Sequence, residues 1–288
     1  MKFKRKYIIA IDVGGTKVNI AFFLRDKLKK ILNFTTLKFG PDNIEKIISL
    51  LEPSKNEIKM IVISLTGKIE NDRWSPINKK MLGYFKNYPV IKKFKSKFKI
   101  SVFALGDTQA AALGEMFYGA GRKYNNFFYL TVSTGVGGSL IHNRKLFDSK
   151  ISSIGAIGHA IVKLNGRKCG CGQKGCVEAY ASGLSMFKQN KFKNCKDTKD
   201  LLTKFNNKKE TYKIIKNAVE ALIAGIINMH RFIGFKKIII GGSVGLNYFF
   251  YNNFMETIKK NNLKISISRS KLKNKSELYG CLAFTKIK

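Results

Sequence analysis

The chain has 288 residues, of which 44 % are hydrophobic and only four are proline, enough for two modest α/β domains with a core each and no tethered modules. No run of about 18 apolar residues is present, which argues against a membrane span, and five cysteines, three of them clustered, argue against a disulfide framework and for a reducing compartment. The formal charge of +36 invites a nucleic-acid reading, but only eight of the 54 basic residues are arginine and the lysines run from one end of the chain to the other, which favours compositional bias over a dedicated footprint.

The opening MKFKRKYIIAIDVGG is too short in its apolar part for a secretory core, because Asp12 and the glycines interrupt it. Residues 7–12 (YIIAID) read as a buried strand, the turn VGGTK follows, and a second strand is expected near 18–25. Ile44, Ile47, Ile48 and Leu51 fall on one face of a helix over 41–52. Residues 58–64 (IKMIVIS) and 100–105 (ISVFAL) are further apolar strands, and Asp107 opens a helix reaching about Phe117.

The pattern then begins again. A strand over 126–132 (NFFYLTV) enters the glycine-rich turn STGVGG, followed by a strand near 139–142 and a hairpin around Asn143–Lys145. The Gly- and Cys-rich stretch 155–178 looks irregular. Helices are predicted over 176–189 and 210–234, then a strand over 236–240 enters GGSVG, with another helix after it. Residues 277–285 read as a short final helix. Strand–GGT–strand thus has a counterpart in strand–STGVGG–strand, which suggests two related halves facing each other across a cleft.

Three glycine turns follow strands, and each could present backbone N–H groups to phosphate oxygens without a Cβ in the way. The first contains Asp12, Gly14, Gly15, Thr16 and Lys17; the second contains Thr134, Gly135 and Gly137; the third contains Gly241 and Gly242. Asp12, at a strand end, could orient Mg²⁺ or its waters. A single such turn taken alone reads more readily as a plain hairpin. His159, Cys169, Cys171 and Cys176 form a second constellation: one imidazole and three thiolates make a tetrahedral zinc set, and Gly170, Gly172 and Gly175 let the chain fold tightly enough to bring the sulfurs together. Four protein ligands leave no open position, so such a site is structural. Cys195 and Cys281 stand apart and read as buried thiols.

Together these residues resemble the ROK family (repressors, open reading frames and kinases) of the actin-like ATPase fold. IDVGGTK resembles its first phosphate motif, GDTQAAALGE the segment with the catalytic aspartate, STGVGG the second phosphate motif, GHAIVKLNGRKCGCGQKGCVEAYASG the Cys/His/Glu signature, and IIIGGSVG the adenosine-side turn. The resemblance covers essentially the whole chain. VSTGVGG, GCVEAYASG and GGSVGL are most similar to the bacterial N-acetylmannosamine kinases.

The resemblance implies an α/β, two-lobed actin-like ATPase (ribonuclease H-like) fold with a cleft between the domains. One lobe would comprise residues 1–107 plus 276–288 and the other residues 108–275. It implies Mg-ATP and a structural Zn²⁺ as cofactors, and transfer of the γ-phosphoryl group to the 6-hydroxyl of N-acetylmannosamine. Asp107 would be the catalytic base, although an aspartate before a helix also serves as an N-cap. His159 and Glu178 would contact the sugar, with Gly67 and Asn78 nearby; on its own Glu178 reads as an early-helix carboxylate favoured by the dipole. The implied partners are an amino sugar, ATP and a second copy in a homodimer, with no specific nucleic acid and no membrane. With the first strand starting near residue 7, no helix-turn-helix is expected before it. A cytoplasmic location is expected.

Three positions depart from the family pattern. Gly106 replaces the Asn before the catalytic Asp, Ala156 replaces a Glu before the His, and Met81 replaces an Asn near the sugar loop. Each lost polar group removes a hydrogen bond worth about 0.5–1.5 kcal/mol. Alternatives are therefore another ROK hexose kinase, acting on glucose or N-acetylglucosamine, or a noncatalytic relative that binds sugar or nucleotide.

Overall fold

The computed structural model describes residues 5–77, 82–147 and 156–287. Contacts divide the chain into two units, Met1–Tyr118 with Lys275–Lys288, and Gly119–Asn274. Each is built on its own five-stranded sheet.

In the first unit the sheet order is β3-β2-β1-β4-β7. β1 (Tyr7–Val13), β2 (Lys17–Leu24) and β3 (Lys27–Thr35) form an antiparallel meander, and β4 (Ile58–Leu65) and β7 (Ser101–Gly106) add in parallel. β5 (Lys68–Glu70) and β6 (Arg73–Ser75) make a separate small hairpin. The predicted face of α1 (Gly40–Leu51) is buried through Ile44, Ile47, Ile48 and Leu51, and α2 (Val90–Phe98) adds Val90, Phe94 and Phe98 to the same core. α3 (Asp107–Tyr118) is lined with Ala110, Ala111, Ala112 and Gly114, so it can approach the C-terminal helix Ser276–Phe284 closely. A Cβ on Gly280 would stand 1.7 Å from the Ala110 carbonyl oxygen. All of α3 thus groups with the first unit, whereas the sequence boundary at 107/108 kept only Asp107 there and gave residues 108–118 to the second.

The second unit repeats the plan. Its sheet order is β10-β9-β8-β11-β12, with β8 (Phe127–Val132), β9 (Val136–His142) and β10 (Lys145–Leu146) antiparallel, and β11 (Lys237–Gly241) and β12 (Ser266–Arg269) added in parallel. Asn143 and Arg144 both have positive φ, 49° and 56°, the geometry that turns a tight hairpin. The helix predicted over 176–189 is two helices, α4 (Glu178–Ala181) and α5 (Gly183–Gln189). Ser182 is extended between them (ψ 149°), and its hydroxyl caps α5 by accepting from Ser185 N–H. After α6 (Thr198–Thr203), the long helix α7 (Lys209–Ile233) buries Ile214, Ile215, Ala218, Val219, Leu222, Ile223 and Ile226 against the sheet. α8 (Tyr248–Lys260) packs beside α7, and the C-terminal helix is α9. No helix among the described residues is long and apolar enough to cross a membrane.

Candidate active site

In the first unit, sheet register brings the polar groups together. Asp12 on β1 lies opposite Asn19 on β2 and Ser64 on β4. The Ser64 hydroxyl donates to Asp12 Oδ1 at 3.1 Å and the Asn19 amide to Oδ2 at 3.4 Å. Burial, reinforced by the nearby Asp107 charge, nevertheless pushes the Asp12 carboxyl up to about 7.

Asp107 heads α3 directly after β7. Its Oδ2 accepts from the Thr66 hydroxyl at 2.9 Å and its Oδ1 from Thr108 N–H at 2.8 Å. Burial raises this carboxyl against both donors. Thr66 is itself held on two sides: its N–H donates to the Val13 carbonyl and its own carbonyl accepts from the Trp74 indole. Thr66 and Ser64 carry no sequence motif; register on β4 places Ser64, and the hydrogen bond from Thr66 N–H to the Val13 carbonyl just past the strand places Thr66. The space beside Gly106 is taken by Gln109, whose Oε1 accepts from Gly106 N–H at 2.9 Å. Gly67 has φ +129°, and a Cβ there would meet Ser75 O at 2.5 Å, so the turn itself demands glycine. Asn78 and Met81 lie outside the described residues.

Glu277, in the first turn of α9, was missed by sequence reasoning. Burial first, then the charge of Asp12, raises its carboxyl well above the usual range. A lone carboxylate in the otherwise apolar ELYGCLAF is the signal that could have found it.

The first glycine turn closes β1 onto β2. Gly14 N–H is spent on the Lys17 carbonyl at 3.1 Å, and the Gly14 carbonyl accepts from the Thr36 hydroxyl. The N–H groups of Gly15 and Thr16 make no hydrogen bond among the described residues, so the turn presents these two, the Thr16 hydroxyl and the Lys17 ammonium.

The second unit holds the other two turns. Ser133–Gly135 form the turn proper, with Ser133 N–H donating to the Gly135 carbonyl. Gly137 sits inside β9 opposite Thr131, not in the turn where the sequence placed it. Thr134 and Gly135 keep their N–H groups free among the described residues, while the carbonyls of Ser133 and Thr134 cap the start of α5. Gly241 ends β11, and Gly242 has φ +83° with a would-be Cβ 2.3 Å from the Val132 carbonyl, so only glycine lets the third turn lie against the second. Ser133 and Ser243 hydroxyls meet at 3.1 Å across the two turns.

His159, Cys169, Cys171 and Cys176 converge in the second unit, their ligand atoms all within 4.8 Å of one another. Cys171 and Cys176 sulfurs are 3.8 Å apart, and Cys169 Sγ is 3.7 Å from His159 Nδ1. Zn–S bonds of about 2.3 Å in a tetrahedron give a sulfur–sulfur edge of about 3.8 Å, so the cluster is sized for that ion. Burial and the neighbouring cysteines push the Cys176 thiol up to about 12, because sulfurs this close cannot ionise together without a cation between them. Gly175 makes the fold possible: its φ is +81° and a Cβ would stand 1.7 Å from Lys163 O. Two residues after Cys176, Glu178 starts α4, and its Oε2 accepts from Val136 N–H at 3.0 Å. A Cβ on Gly135 would come within 2.7 Å of that oxygen. The cysteine knuckle and the second glycine turn are thereby tied through one carboxylate.

A family model described as ROK family matches residues 8–286. The chain belongs to the ROK family. Its curated ROK relatives include the N-acetylmannosamine kinase of Yersinia pestis (strain Pestoides F), 30 % identical over 244 residues and 83 % of each chain. The N-acetylmannosamine kinase of Haemophilus influenzae (strain PittEE) is 29 % identical over 245 residues, 83 % of this chain and 81 % of that one. Among solved structures, a ROK hexokinase from Thermus thermophilus aligns with a TM-score of 0.80 at 22 % identity, covering 98 % of this chain and 99 % of its own. A ROK family glucokinase from Streptomyces griseus in complex with glucose and AMPPNP aligns at 0.85 and 18 % identity, covering 98 % and 100 %. The fold is therefore the α/β, actin-like ATPase (ribonuclease H-like) fold of ROK kinases, as the motifs implied.

Proposed function

We propose that the chain is an ATP-dependent sugar kinase that phosphorylates N-acetylmannosamine at its 6-hydroxyl, releasing ADP. The observation that carries this reading is Asp107: a half-buried carboxylate at a helix head, held by Thr66 and Thr108 and raised above its ordinary value, in a chain similar over 83 % of its length to N-acetylmannosamine kinases. A raised carboxyl is a better proton acceptor for an alcohol than an exposed one. As the sugar O6–Pγ bond forms and the bond from Pγ to the bridging oxygen of ADP breaks, the hydroxyl proton passes to Asp107. Geometry at the carboxylate is fixed beforehand by Thr66, which Trp74 and Val13 hold in turn.

Gly15, Thr16, Lys17, Thr134 and Gly135 are the donors proposed for the phosphates, with Gly241 and Gly242 on the adenosine side. Magnesium, which neutralises charge on the transferring phosphates, would be held through Asp12, whose carboxyl burial and the nearby Asp107 charge raise, and which a cation would restore to its ionised form. The zinc is structural. With Nδ1 turned to the sulfurs, His159 keeps Nε2 for a sugar hydroxyl, and Glu178, fixed by Val136 N–H, is proposed as a second sugar contact. We place the reaction in the cytoplasm, where free thiols such as these stay reduced. A homodimer is the expected assembly, which sedimentation would measure.

Purified protein with Mg·ATP and a panel of hexoses and N-acetylhexosamines tests the reading. Sugar-dependent ADP release with the highest kcat/KM for N-acetylmannosamine supports it. A higher value for glucose or N-acetylglucosamine replaces the substrate but keeps the enzyme class, and ADP release at background with every sugar removes both.

A further inference from the structure

The second unit carries a pocket that none of this chemistry uses. The glycine turns lie where β8 and β11 end; the pocket lies at the opposite end of the sheet, where β8, β11 and β12 begin and β9 finishes. Its volume is about 590 Å³, and its lining includes Lys123, Tyr124, Asn125, His142, Lys236 and Lys237.

Lys237 is the informative residue. It opens a strand, KIIIG, that is otherwise apolar and wholly buried, and it is itself only 5 % exposed. Its ammonium donates to the Ser266 hydroxyl at 3.0 Å and the Ser268 hydroxyl at 2.6 Å, and stands 4.6 Å from the centre of the Tyr124 ring. No ion pair among the described residues involves it. Burying a charge without an opposite charge is costly, and an ammonium has three donors, of which the two serines take two. A valine or isoleucine would fill the strand position without that cost.

The rest of the lining repeats the sign. Lys123 and Lys236 are exposed at the rim, and no aspartate or glutamate lines the pocket. In a chain of +36 exposed lysines say little by themselves; the buried one, held by neutral partners and facing the same space, is what asks for a counter-charge. Three ammonium groups suit a dianion better than a monoanion, and the Ser266 hydroxyl and the Asn125 amide add neutral donors that a tetrahedral oxyanion uses. The volume exceeds that of a bare phosphate and leaves room for a small organic group against Tyr124.

We propose that this pocket is a second ligand site, separate from the kinase chemistry, for the phosphate group of a small phosphorylated metabolite, with Lys237 as its central ligand. The competing role for Lys237 is a clamp between β11 and β12 through the two serines.

Isothermal titration calorimetry with inorganic phosphate and with glycerol 3-phosphate tests the proposal, at about physiological salt and with Mg·AMPPNP saturating so that the nucleotide site is filled. One saturable site per chain is expected in the wild type, tighter for glycerol 3-phosphate than for phosphate. Lys237→Met should weaken it at least tenfold, and so should the rim pair Lys123→Gln with Lys236→Gln, whose exposed positions leave the fold intact. Lys216→Gln, exposed on α7 outside the pocket, should change nothing. The proposal is overturned if the wild type shows no saturable site, if both pocket variants bind like wild type, or if Lys216→Gln weakens binding as much as they do. The last result would mean general attraction to a basic surface. Should Lys237→Met melt early, the rim pair alone decides between the site and the strand clamp.

Discussion

Replacing Asp107 by asparagine separates the holding of the site from its chemistry. The two carboxylate oxygens accept from Thr66 Oγ1 and Thr108 N–H at 2.9 and 2.8 Å. Asparagine keeps an oxygen for Thr108, and its amide donates to the Thr66 hydroxyl, which accepts as readily as it donates. Both hydrogen bonds survive in neutral form, each weaker by about 1 kcal/mol at most. Offsetting this, the substitution removes a desolvated charge and eases the repulsion that helps raise Asp12. The net change in stability is expected within about 1 kcal/mol, a melting shift of about 2–4 °C for a chain of this size. Loss of a general base costs about 10²–10⁴ in kcat, or about 3–5.5 kcal/mol of barrier. ADP release at saturating N-acetylmannosamine and Mg·ATP, with zinc content and a thermal melt on the same sample, reads all three quantities. A kcat within about threefold of wild type would refute the role of base. Retained turnover with a melt lowered by more than 10 °C would leave Asp107 as a helix cap and no more.

Three further perturbations probe the supports of the site. Cys171→Ser should lose zinc and sugar-dependent activity together, whereas Asp107→Asn keeps its metal; elemental analysis of both proteins checks this, and a zinc-free Cys171→Ser with full activity would contradict it. Gly67→Ala forces a side chain into φ +129° and against Ser75 O, and should cost more than about 2 kcal/mol in a denaturant titration. Asp12 makes the unliganded protein pH-sensitive. Its carboxyl is raised from 3.8 to about 7 in the fold, so its contribution to stability is full below pH 4 and is lost as pH rises to 7. The melting temperature of Asp12→Asn relative to wild type should therefore increase from pH 4 to pH 7, a difference in which the effect of overall charge cancels. A flat difference would show that Asp12 is not desolvated.

The sequence was most legible where chemistry dictates residue type. The cysteine spacing pointed to the convergence of His159 and the three cysteines, and glycines after strands pointed to the turns. α1 was plain from its isoleucines, and β1, β4, β8 and β11 from largely apolar runs. What escaped was mostly amphipathic structure hidden by lysine. β3 (KLKKILNFT) is an exposed edge whose alternation is broken by paired lysines, and α2 (VIKKFKSKF) buries a narrow stripe between charges. β12 (SISR) is too short to announce itself. Within the site, Gly137 was read as part of a turn because consecutive glycines look alike in sequence, yet its position opposite Thr131 makes it a strand residue. Ser64 and Thr66 were invisible for a different reason: the pairing of β4 with β1, and the hydrogen bond from Thr66 to Val13 just beyond it, bring them to Asp12 and Asp107, which no local pattern encodes. The same holds for Glu277, brought to Asp12 by the docking of α9 on the glycine and alanines of α3.

Phosphorus and proton NMR of the wild-type reaction with N-acetylmannosamine and Mg·ATP tests the central assignment most directly. One phosphate ester on O6 should appear for each ADP formed. ADP accompanied by free phosphate and unchanged sugar, or an ester on another hydroxyl, would contradict it.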